Sequence, residues 1–173
     1  LSSAASDVYK RQCQGFKILK LDETMFTVRV GEVLAEEKIK FDVEVLQTYV
    51  KATYPDLRKC INTCQMNSQT GELTNPQSGD TQDGDVEVTY VAMFQNGDIK
   101  GAREYIINNA DPEQYEKVYR KMYENLSWFG DDDLSQGKAL LSIRNGLVNH
   151  SIVVDPEINL AATMVELERI RNK

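Results

Sequence analysis

The chain has 173 residues and carries 27 acidic side chains against 20 Lys and Arg, a formal net charge of −7. That excess repels phosphate backbones and anionic headgroups at long range, so nucleic acid and membrane surfaces are poor partners. With 41% hydrophobic and 27% charged residues the composition suits a folded, soluble domain rather than a disordered acidic chain, and no apolar run approaches the roughly 18 residues that a bilayer span requires.

Residues 1–12, LSSAASDVYKRQ, resemble a peptide that arises when sequencing-adapter DNA is translated. They are expected to be a non-native or disordered leader, and residues 13–173 to form one domain. Phe16–Leu21 and Thr24–Val30 read as two strands about an Asp22-Glu23 turn, because Phe26, Val28 and Val30 alternate with Thr27 and Arg29. A short strand is expected over Lys38–Phe41. Asp42 then suits the N-cap of a helix over Val43–Tyr54, where Val43, Leu46, Val50 and Tyr54 keep helical spacing and Pro55 marks the end. Arg58–Gln65 adds a short helical piece. From 67 to 85 the chain is polar, with Leu73 as its lone apolar residue, and reads as a long loop.

Val86, Val88, Tyr90, Ala92 and Phe94 fall on one face of a strand whose other face, Thr89, Val91 and Met93, is also apolar at its centre. This predicts a central strand covered on both sides. Asn96-Gly97 reads as a hairpin turn, and Ile99–Ile107 as the returning strand with Gly101 at a bulge. Asp111-Pro112-Glu113-Gln114 has the signature of a helix start, with Asp111 as cap and Gln114 completing a capping box. Tyr115, Val118, Tyr119, Met122 and Leu126 form the stripe of that helix, and Trp128 and Phe129 close it.

A second helix is expected over Asp133–Arg144, with Leu134, Ala139, Leu140, Leu141 and Ile143 as its apolar surface and Gly146 just beyond its end. After Ile152-Val153-Val154, Asp155-Pro156-Glu157 opens a last helix lined by Leu160, Met164 and Leu167, with Ala161 and Ile170 widening the stripe. Strands early and helices late predict an α+β fold, an antiparallel β-sheet with hairpins packed against predominantly C-terminal helices.

The side chains that carry chemistry form few constellations. Cys60 and Cys64 can share a helical face, but structural zinc needs four ligands, and Cys13 and His150 are remote in sequence. Three unevenly spread cysteines fit a reducing, cytoplasmic setting. His150, the single histidine, has no nucleophile-elbow sequence to serve and reads as structural. Asp131-Asp132-Asp133 reads as a helix-initiating cluster at the positive end of the helix dipole. Asp83, Asp85 and Glu87 lie in an interval from Lys59 to Lys100 that is free of basic residues, and they are the candidate ligands for calcium or magnesium.

The basic residues Lys117, Arg120 and Lys121 are interleaved with Glu113, Glu116 and Glu124, which makes a solvated helix face and not a phosphate-binding patch. The aromatics concentrate between Tyr105 and Phe129. Tyr123, Trp128 and Phe129 are the candidate interaction surface, since partly exposed Tyr and Trp act as large amphipathic anchors. The leading expectation is a non-enzymatic protein–protein interaction or assembly module without a cofactor, whose partner is another protein or a second copy. A cation-dependent enzyme or cation-binding module using the clustered carboxylates is the alternative.

Overall fold

The computed structural model describes residues 21–76 and 86–172. Among them the fold is all-helical, with eight α-helices and no strand. The helices are α1 (Glu23–Glu36), α2 (Val43–Thr53), α3 (Leu57–Met66), α4 (Val86–Gln95), α5 (Ile99–Asn109), α6 (Tyr115–Glu124), α7 (Asp133–His150) and α8 (Pro156–Arg171). The expected antiparallel sheet and the α+β class are therefore corrected. Phe16–Lys20, the 1–12 leader and Cys13 lie outside the described residues.

Each misread strand has a physical reason. In α1 the buried residues are Phe26, Val30 and Leu34, spaced by four, while Val28 faces solvent. The alternation of Phe26, Val28 and Val30 thus contained a helical period that becomes visible only when Leu34 is included. Asp22 caps α1 through the Met25 amide at 3.0 Å. The Lys38–Phe41 strand reduces to one bridge: Lys40 accepts from the Leu73 amide at 2.8 Å and donates to the Gly71 carbonyl at 3.0 Å.

The Val86–Phe94 segment is α4, the most enclosed helix. Val88, Thr89, Tyr90, Val91, Ala92 and Phe94 are all buried, so hydrophobicity runs around its circumference and no period survives in the sequence. Asn96-Gly97 ends this helix rather than turning a hairpin. Gly97 has φ +78°, its amide donates to the Phe94 carbonyl, and the Asp98 amide donates to that of Met93, the paired bonds of a Schellman motif. A left-handed glycine serves a helix end as well as a β-turn. The expected returning strand is α5, which buries Ile99, Ala102 and Ile106; Gly101 is no bulge but supplies the amide that Asp98 caps, at 2.8 Å.

The helical expectations fare better. Asp42 caps α2 through the Glu44 amide at 2.9 Å, and the Arg58–Gln65 piece is α3. Asp155 caps α8, which buries Leu160, Thr163, Met164 and Leu167. At Asp111 the chain instead makes one 3₁₀ turn, Pro112–Gln114, before α6 begins at Tyr115, and the Asp111 carboxylate forms no cap bond. The start of the polar 67–85 segment is anchored: Leu73 is buried, and the Tyr49 hydroxyl donates to the Thr74 carbonyl at 2.8 Å.

Neighbouring helices pair in a series. α1 lies on α2 and α3, α2 on α4, α4 on α5, α5 on α8, α8 on α7, and α7 on α6. One connected core runs through them, from Phe26 and Val30 to Met164 and Leu167. Lys121 of α6 links back to α2. Its ammonium, on a side chain only 10% exposed, donates to the Lys51 and Tyr54 carbonyls at 3.0 and 3.3 Å and lies 3.5 Å from Glu87. These are carbonyls of the last turn of α2 and the residue beyond it, where helical partners run out.

Candidate functional site

α7 is helical through Gly146 and on to His150, beyond its expected end. The glycine is there for packing. A Cβ on Gly146 would lie 2.3 Å from Thr163 Oγ1 and 2.8 Å from Tyr119 Cε1, so the backbone of α7 comes against α8 and α6. Ala139, Ser142 and Ile143 continue this face, and Ser142 donates to Glu166 at 2.8 Å. The inward side of α7 is therefore mostly small.

Its leucines point the other way. Leu134, Leu140, Leu141 and Leu147 are exposed by 67, 38, 57 and 43%, and Val148 is exposed as well. Leu134, Leu141 and Val148 recur every seven residues along one line of the helix, flanked by Leu140 and Leu147 at the same interval. The expected apolar surface of Leu134, Ala139, Leu140, Leu141 and Ile143 thus divides: Ala139 and Ile143 enter the core and the leucines do not.

Between α6 and α7 this outward face borders a groove of about 390 Å³. α6 contributes Glu116, Tyr119, Arg120 and Tyr123, and α7 contributes Leu140, Leu141, Ile143, Arg144 and Leu147. Each set keeps the spacing of a single helix face. Buried Tyr119 and Ile143 make the floor; half-exposed Tyr123 and the leucines make the walls. The Tyr119 hydroxyl accepts from Asn159 Nδ2 at 2.9 Å and lies 3.5 Å from Thr163 Oγ1. Burial raises its pKa above the usual tyrosine value, opposed by the Thr163 hydrogen bond, so it is a neutral hydroxyl at neutral pH and not a base. Asn159 also donates to the Gly146 carbonyl at 2.8 Å, which fixes α8 to the tightest point of α7.

The three aromatics expected to form an interaction surface separate. Tyr123 is on the groove wall, 48% exposed. Trp128 and Phe129 are core residues: Trp128 stacks on Phe94 with centroids 5.3 Å apart and an interplanar angle of 11°, and Phe129 meets Phe94 edge-on at 5.9 Å. An Arg171 guanidinium nitrogen donates to the Trp128 carbonyl. The 3₁₀ turn over Leu126–Phe129 carries both side chains inward, away from the α6 surface that holds Tyr123.

Of the candidate cation ligands, Asp83 and Asp85 lie outside the described residues. Glu87 is engaged by two cations, Lys59 and Lys121, at the edge of a polar cleft of about 470 Å³. Among the described residues no group of three His, Cys, Asp or Glu side chains converges as a metal site requires. Asp132 caps α7 through the Ser135 amide at 2.9 Å, and hydrogen bonds from Ser135 hold its carboxyl below the usual range. This is the helix-initiating role read from the sequence. Cys60 and Cys64 are fully buried on α3. The His150 ring packs near Tyr115 and Tyr119, with centroids 6.4 and 5.9 Å away.

No helix among the described residues is long and apolar enough to cross a membrane. No family model matches the chain, and no curated protein matches it.

The leucine wall was missed for an identifiable reason. Sequence patterning marks α7 as apolar on nearly every side and assigns the larger residues to the core. The signal for the opposite assignment is the small set Ala139, Ser142 and Gly146, which at helical spacing marks a close-packed helix face.

Proposed function

We propose that this chain is a non-enzymatic protein-interaction module that holds a partner against the groove between α6 and α7. The observation that carries this reading is the inverted burial of α7, small residues inward and leucines outward. Scattered exposed apolar side chains need no explanation, but contiguous ones do. Leu140, Leu141 and Leu147, all exposed, line one groove together with half-exposed Tyr123, which separates them from singly scattered surface residues. Full burial of one leucine side chain is worth about 1.5–3 kcal/mol, and a partner covering the half-exposed leucines gains a share of that at each. Tyr123 adds a rigid aromatic anchor beside them.

The reading is tested by selecting displayed peptides on the intact chain and titrating the enriched ones against two variants. Leu141→Asp places a charge in the groove wall. Val28→Asp does so on the exposed side of α1, away from the groove. Enriched peptides should lose at least tenfold in affinity for the first and keep their affinity for the second. Equal binding to wild type and Leu141→Asp sinks the proposal.

A further inference from the structure

The groove has a charge pattern as well as an apolar one. Arg120 stands on the α6 wall and Arg144 on the α7 wall, both exposed, and neither has an ion-pair partner among the described residues. Glu116, one turn before Arg120, is the only acidic residue of the lining. The walls of this groove are therefore net positive in a chain whose overall charge is −7. Long-range repulsion of an acidic partner is weak in comparison, because the Debye length at physiological salt is about 8 Å, whereas charges meeting across the groove rim are in direct contact. The apolar component is linear: Leu140, Ile143 and Leu147 line the groove along two turns of α7, opposite Tyr119 and Tyr123 of α6. A straight apolar track between two helices suits a third helix, which offers its own ridge at positions i, i+3, i+4 and i+7.

Resting on the interaction reading above, we infer that the occupant is an amphipathic helix whose apolar ridge is bordered by carboxylates, with Arg120 and Arg144 pairing to them from opposite walls. The arginines set the preferred partner and its orientation, and the leucines with Tyr123 supply the affinity. Planar guanidinium groups suit this task because each can engage a carboxylate through two parallel hydrogen bonds.

Two capped synthetic 18-residue helices with the same leucine ridge test the inference, one with Glu at every flanking position and one with Lys. Each is titrated by fluorescence anisotropy against the full chain, the Arg120→Glu/Arg144→Glu variant and Leu141→Asp, with circular dichroism to verify each fold. The Glu helix should bind wild type about tenfold tighter than the Lys helix, a preference that shrinks as salt is raised. The order should reverse in the double arginine variant, and both helices should lose affinity for Leu141→Asp. Equal binding of both helices, unchanged by the arginine substitutions but lost in Leu141→Asp, overturns the charge assignment and leaves the groove reading standing. Binding of neither helix overturns the assignment too; the groove reading is then judged by the displayed-peptide selection alone. Dimerisation abolished by Leu141→Asp, seen in sedimentation without Glu-helix binding, overturns it in favour of a second copy of this chain.

Discussion

Gly146 of α7 lies directly beneath Thr163 of α8, with room for a hydrogen and not for a methyl group, since an added Cβ would come within 2.3 Å of the threonine Oγ1. Thr163 is β-branched and itself donates to the Asn159 carbonyl at 3.0 Å, so it has little freedom to retreat. The Tyr119 ring on the other side is fully buried. This contact sets which face of α7 turns inward, and so which face borders the groove.

Gly146→Ala is accordingly expected to destabilise the fold by about 1–3 kcal/mol, despite the better helix propensity of alanine. Gly137 in the same helix faces open space, and Gly137→Ala should stabilise by about 0.5–1 kcal/mol. Urea melts of the two variants provide the comparison. Like signs for the two changes would mean that α7 does not pack on α8 at Gly146.

Lys121→Ala should cost about 2–3 kcal/mol. The change removes the hydrogen bonds that Lys121 donates to the Lys51 and Tyr54 carbonyls, and with them the less exposed of the two cations on Glu87. The loss stays below that of a fully isolated buried charge because Lys59 still faces the carboxylate. The exposed neighbour Lys117 is the control. A Lys121→Ala melt no lower than that of Lys117→Ala would refute the link between α6 and α2.

Trp128 is the single tryptophan and is 5% exposed. Native fluorescence should be blue-shifted and resistant to iodide quenching, with both properties lost on unfolding. Trp128→Ala should cost about 3–5 kcal/mol by removing the stack on Phe94. Tyr123→Ala, by contrast, should leave stability within about 0.5 kcal/mol of wild type, as exposed substitutions usually do. The pair distinguishes a core aromatic from a groove-wall aromatic by melting temperature alone.

Tyr115 and Tyr119 titrate above the usual tyrosine value, in both cases chiefly because burial disfavours the phenolate; Glu157, Asp155 and Asp111 add to the effect at Tyr115. The folded chain then holds these protons more tightly than the unfolded chain does. The stability they contribute is complete below about pH 10, the unfolded value, and declines as the pH rises through the higher folded values. Thermal midpoints should fall from about pH 10 upward. The alkaline decline should be shallower in Tyr119→Phe, which also loses about 1 kcal/mol at neutral pH with the hydrogen bond from Asn159. Parallel alkaline profiles for the two proteins would rule out Tyr119 as a contributor.

What the sequence determined by itself was local. Asp42, Asp132 and Asp155 were readable as helix starts because capping is a contact between a carboxylate and amides two or three residues away. The stripe of α6 and the inward line of α8 were readable for the same reason, each helix having one wet face. Tertiary structure alone decided the rest. α4 lost its period because neighbours surround it, and a fully enclosed segment looks alike as helix or strand. α7 turned its leucines outward because Gly146 and Ala139 let two helices approach more closely than leucine would allow, a choice made between helices and invisible within one. Tyr123 was legible as an exposed aromatic. Its place beside Arg120, Arg144 and the leucine wall depends on how α6 and α7 meet.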